Sequence, residues 1–174
     1  MVTPTDGGDV TLPPSDGGPG EMVTFTHTAT SASGGTPVSA TLEVVATDPL
    51  PPELPPAEAD SLVAAIDISS TGSEVGYQMV VTFHIDPGSI NEFTGFWKYG
   101  KEAAIDAPHW YDYGTLEANG DETGYELSED KKTLTVYLVD GLRGDDDLLA
   151  NAVIVDPALP IVEVSPTVFS NGFE

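Results

Sequence analysis

The chain has no cysteine, which excludes disulfide staples, thiolate metal sites and a cysteine nucleophile. Basic residues are almost as scarce: five Lys and Arg stand against 29 Asp and Glu, and none precedes Lys98. A formal charge of −24 repels phosphate backbones and anionic lipid, so nucleic acid is excluded as a partner. No apolar run is long enough to span a bilayer, so no membrane insertion is expected. The opening residues Met1, Val2, Thr3 and Pro4 lack the basic and apolar regions of a signal peptide, so any export signal is expected upstream or already removed. Catalytic signatures are missing too. His27, His84 and His109 lie far apart, and there is neither a Gly-x-Ser-x-Gly elbow nor a phosphate-cradling Gly-Lys-Ser/Thr loop. With so many acids a carboxylate pair for glycoside hydrolysis exists on paper, which carries no information. The expectation is a non-enzyme.

What is present is short alternation. In Val23, Phe25, His27 and Ala29 against Thr24, Thr26, Thr28 and Thr30 the period is two, the spacing of a strand with one face buried. Val38, Ala40, Leu42 and Val44 repeat it after Gly34-Gly35, which predicts a hairpin between these segments. Leu62 to Ile68 alternates as well, although Leu62, Val63 and Ile66 also fit a helical turn. Tyr77 to Ile85 reads as a buried strand, and Phe93 to Tyr99, Trp110 to Tyr113, Tyr125 to Leu127, Thr133 to Val139, Ala152 to Val155 and Ile161 to Val164 complete ten short candidates. The proline-rich stretch Asp48 to Pro56 predicts an extended crossover.

This spacing predicts an all-β, antiparallel β-sandwich, immunoglobulin-like or jelly-roll-like. The predicted organisation is a flexible Gly/Pro/Asp-rich linker over 1–22, a sandwich over 23–164 and a C-terminal tail over 165–174. An apolar content of 40% can supply its core.

Three constellations could carry chemistry. Between Asp140 and Asp147 four carboxylates fall within eight residues, offset only by Arg143. Calcium takes six to eight oxygen ligands, and Asp140, Asp145, Asp147, Asn151 and Asp156 would form such a cage if the loop folded back. The other reading is a solvated acidic turn whose side chains cap the backbone. Trp97, Tyr99, Trp110, Tyr111 and Tyr113 form an aromatic cluster that could stack on sugar rings, against the plainer expectation that the tryptophans fill the core and the tyrosines rim it. Arg143-Gly144-Asp145 spells an integrin-recognition tripeptide, discounted because three-letter matches arise by chance.

The segments Trp97-Lys98-Tyr99-Gly100, His109-Trp110-Tyr111-Asp112-Tyr113, Leu134 to Gly141, Gly144-Asp145-Asp146-Asp147, Ala150-Asn151 and Ile154-Val155-Asp156-Pro157 together resemble the bacterial choice-of-anchor U domain family. The resemblance runs from about Phe93 to Pro157, and it implies a portion of an exported protein, secreted or at the cell surface. Leu148 and Ala152 stand where that family tends to carry a small residue, often glycine, so these positions are expected to resist a left-handed backbone. The functional expectation is a structural or adhesive module, calcium-stabilised through the acidic loop. Two alternatives stand beside it: an extracellular filament subunit that self-assembles by adding a strand such as Val23 to Thr30 to a neighbour's sheet, and a carbohydrate-binding module with a glycan partner.

Overall fold

A computed structural model describes residues 9–12, 23–31, 39–44, 66–71, 74–103, 107–120 and 122–164. The crossover expected at Asp48 to Pro56, the start of the Leu62 to Ile68 segment, the 165–174 tail and most of the 1–22 linker lie outside them.

Among the described residues ten strands form two five-stranded antiparallel sheets, packed face to face as a β-sandwich. The strands are β1 (Asp9–Leu12), β2 (Val23–Ser31), β3 (Ser39–Val44), β4 (Ile66–Thr71), β5 (Gln78–His84), β6 (Asn91–Gly100), β7 (His109–Asp112), β8 (Gly124–Leu127), β9 (Thr133–Val139) and β10 (Val153–Val164). One sheet runs β1-β2-β5-β9-β8 and the other β3-β4-β10-β6-β7.

The alternation read from sequence becomes the core directly. Met79, Val81 and Phe83 of β5 and Leu134, Val136 and Leu138 of β9 point inward at every second position, and Phe93, Phe96, Ile154 and Ala158 meet them from the other sheet. Phe83 and Phe96 bridge the layers with ring centroids 6.3 Å apart. Deleting a buried ring of this size costs about 3–5 kcal/mol, so this contact alone is a large part of the stability of an ordinary domain.

Three expectations are corrected. Val23–Ser31 and Ser39–Val44 do not form a hairpin: β2 pairs with β1 and β5, whereas β3 pairs with β4 in the opposite sheet. Local alternation cannot distinguish two strands of one hairpin from two strands of opposite layers. Asp9–Leu12, inside the stretch read as linker, pairs with Leu12 opposite Val23. The runs read as Ala152 to Val155 and Ile161 to Val164 fall, from Val153 on, in one twelve-residue strand, β10, despite Pro157 and Pro160.

How a central strand tolerates two prolines follows from its neighbours. β10 pairs with β4 from Val153 to Ala158 and with β6 only from Ala158 onward. The backbone of Val155 turns away from β4, accepting from Asp146 N–H and donating to Asp145 Oδ1. With a period of two, Pro157 faces that same side, before β6 pairing begins, and Pro160 faces the β4 side, beyond Ala158 and Ile66, the last pair of that ladder among the described residues. Among the described residues, each proline nitrogen thus points away from a paired strand.

β6 carries a matching irregularity. Ile161 lies opposite Gly95 and Val162 opposite Phe93, so Thr94 is an extra residue and the inward phase shifts, burying both Gly95 and Phe96. After the bulge the inward positions are Phe96, Lys98 and Gly100. A lysine is thereby aimed into the core.

Candidate functional site

The loop from Asp140 to Ala152 joins β9 of one sheet to β10 of the other, and it holds four of the five candidate cation ligands, Asp140, Asp145, Asp147 and Asn151. It is built of tight turns, with Leu142, Asp145 and Leu148 N–H donating to Val139, Leu142 and Asp145 carbonyls respectively. Gly141 has φ 82°, and a Cβ there would meet the Ala150 backbone at 2.7 Å, so the loop's own return strand requires glycine. Leu148 and Ala152 adopt φ 54° and 65°. The left-handed turns expected to be lost with the glycines are present, carried by residues with a side chain.

Asp140, Asp145 and Asp156 are buried, whereas Asp146 and Asp147 are exposed. Asp140, 2% exposed, accepts N–H from Gly76 at 2.6 Å, Asn151 at 3.0 Å and Ala152 at 2.9 Å. Burial pushes its carboxyl up, but these amide bonds outweigh that and hold it below the usual carboxylate range. Asp145, 1% exposed, accepts from Gly141 at 2.9 Å and Val155 at 3.3 Å, and here burial prevails and its carboxyl is raised. Asp147 accepts from Leu149 N–H and from the Asn151 side-chain amide, while Asn151 Oδ1 accepts from Val153 N–H. Asp156 lies on the inward face of β10 between Ile154 and Ala158, wholly buried, with its Oδ1 2.6 Å from Lys98 Nζ.

Each of the five residues expected to cage calcium is therefore engaged with a donor of the chain itself. Among the described residues no group of three or more His, Asp or Glu side chains is arranged to hold a metal ion.

Sequence reading passed over Lys98, the centre of this arrangement. Its ammonium, 2% exposed, donates to Gly144 O at 2.5 Å, contacts Asp156, and lies 4.5 Å from the Tyr113 ring centroid. Burial pulls its pKa down to about 8, against the upward pull of Asp156. Moving two such charges from water costs several kcal/mol each, which only close contact and additional hydrogen bonds offset. The available signal was modest: Asp156 follows Ile154 at the inward spacing, but the bulge in β6 hides the phase that turns Lys98 the same way.

Arg143 closes the loop from outside. Its guanidinium bonds Glu102 Oε1 at 2.6 and 2.9 Å, donates to the carbonyls of Tyr113 and Asp112, and stacks 4.8 Å from the Tyr111 ring centroid. Beneath it the Tyr113 hydroxyl donates to Tyr137 O at 2.8 Å and to Arg143 O at 3.2 Å. A Cβ on Gly144, φ 106°, would collide with the Tyr113 ring, so arginine, glycine and tyrosine fit only as a set. The Arg143-Gly144-Asp145 tripeptide is thus a packed element, with Gly144 and Asp145 buried.

The aromatic cluster divides, and in the opposite sense to expectation. Tyr111 and Tyr113 are buried, whereas Trp97, Tyr99 and Trp110 lie half-buried on the outward face of β6 and β7. Tyr99 and Trp110 are opposite each other in the register, their rings 5.4 Å apart edge to face. Of the histidines, His84 bonds Thr133 and His109 lies 3.4 Å from Glu102, both exposed; the His27 side chain lies outside the described residues.

No protein-family model, no curated protein and no solved structure matches this chain.

Proposed function

We propose that the domain is a non-catalytic structural or adhesive module of a secreted or cell-surface bacterial protein. One observation carries the reading: the buried carboxylates of the β9–β10 loop, which would have to be free for chemistry, hold the chain's own backbone, Asp140 joining Gly76 to Asn151 and Ala152, and Asp145 joining Gly141 to Val155 of β10. The resemblance to the choice-of-anchor U family supports the location. So does the charge of −24, which suits a surface bathed in screening cations.

The test has two arms. Surface proteolysis of intact source cells should release fragments of this domain, and Asp140→Asn with Arg143→Ala should lower its melting temperature together. A protein recovered only from the cytosol would overturn the reading, as would a domain whose stability ignored both substitutions.

A second reading, carbohydrate binding, has its own observation: Trp97, Tyr99 and Trp110 share one outward face, the arrangement on which flat sugar rings stack. A glycan array with wild type and Trp97→Ala decides it. No bound glycan, or binding unchanged by the substitution, removes it. The filament alternative is weaker, since Val23–Ser31, the segment named as donor strand, is seated between β1 and β5 of its own sheet.

A further inference from the structure

The Lys98–Asp156 contact is unusual in what it joins. The two residues lie on neighbouring antiparallel strands, with Ala158 opposite Lys98 and Asp156 two positions along on the same inward face. The side chains meet end to end, Nζ to Oδ1, at 2.6 Å, both closed off from solvent. We propose that Lys98 and Asp156 condense into a side-chain amide, a covalent bond between β6 and β10.

The step balances with no other reactant. One proton passes from the Lys98 ammonium to the Asp156 carboxylate across their contact, giving an amine and a carboxylic acid. The nitrogen attacks Cγ, forming the new N–C bond; the C–O bond to the acid's hydroxyl breaks; and that hydroxyl leaves as water with a second proton from nitrogen. The product is a neutral amide with one N–H.

In water this condensation is opposed by the solvation of both ions, but here that solvation has been lost already. Proximity supplies the rest: oriented partners in fixed contact behave as though at about 10⁵–10⁸ M. The Gly144 carbonyl accepts one Nζ proton at 2.5 Å and the Tyr113 ring centroid lies 4.5 Å from Nζ, so the nitrogen is held against the carboxyl from two sides. Closing from contact to a C–N bond of about 1.33 Å needs only a small approach of two flexible side chains. The low pKa of Lys98 agrees with this, since the neutral amine is the nucleophile.

The test is the mass of the folded, purified chain under denaturing conditions. The expected result is a chain lighter by one water, whose proteolysis yields a branched peptide joining the segments that contain Lys98 and Asp156; Lys98→Arg and Asp156→Ala should keep the full mass. Two results would overturn the proposal: wild type at its full calculated mass, or a water loss that maps elsewhere, such as cyclisation at Asp140-Gly141. The wild-type measurement decides even if neither variant folds. A full-mass chain would leave the structural-module reading standing, with an ion pair at its centre.

Discussion

The Asp140 carboxylate accepts the backbone N–H of Gly76 at 2.6 Å, joining the turn before β5 to the end of β9, 64 residues away in sequence. The same carboxylate accepts from Asn151 and Ala152, so one side chain fixes three pieces of backbone.

Asp140→Asn puts an N–H₂ group opposite amide donors and should destabilise the domain by about 3 kcal/mol. The pH dependence follows from the lowered carboxyl. A carboxyl held below its unfolded value, about 3.9, contributes stability that is fully present above that value and lost as pH falls through the lower folded one. Urea denaturation from pH 6 down to pH 2 should show wild type losing its advantage over Asp140→Asn in that acid window. A constant difference between the two would contradict the assignment.

Ala152→Gly should stabilise. Alanine at φ 65° bears a strain of roughly 1–2 kcal/mol, and glycine removes it at an unfolded-state cost of about 0.5–1 kcal/mol. A net gain of up to about 1 kcal/mol should appear as a higher urea midpoint with unchanged slope. Leu148→Gly, at φ 54°, should gain less, because it also gives up a half-buried side chain.

Asn91 is the first inward residue of β6, 1% exposed, and its amide nitrogen and oxygen have no hydrogen-bond partner among the described residues. Leaving a buried polar group unsatisfied costs about 1–3 kcal/mol. Asn91→Leu, similar in size, should therefore raise thermal stability, and a fall in melting temperature would show that the amide is satisfied.

Calcium should not move the melting temperature at matched ionic strength, since Asp140, Asp145, Asp147, Asn151 and Asp156 already bind donors of the chain. Melting curves in calcium and in chelator test this. A saturable upward shift would restore the acidic loop as a cation site, by about 2.7 kcal/mol at a hundredfold excess over the dissociation constant.

How much of this was legible in the sequence depended on distance along the chain. The strands of Gln78–His84 and Thr133–Val139 could be read because alternation is local, and so could the sandwich class. The partners of β2 and β3 could not, because the same alternation serves a hairpin and a crossing between sheets. Pro157 and Pro160 argued against one continuous strand, and only the change of partner along β10 shows why they fit. In the loop, the number of acids suggested a cation, whereas the contacts those acids make with the amide of Gly76 and the ammonium of Lys98 come from distant segments, which no spacing within 140–156 reveals.

The strand that comes last in order, β10, is the middle of its sheet. During synthesis β3 with β4, and β6 with β7, are each made before the strand that unites them, so the long-range pairing of this layer waits for β10. The two halves of this layer, among the described residues, meet only through β10.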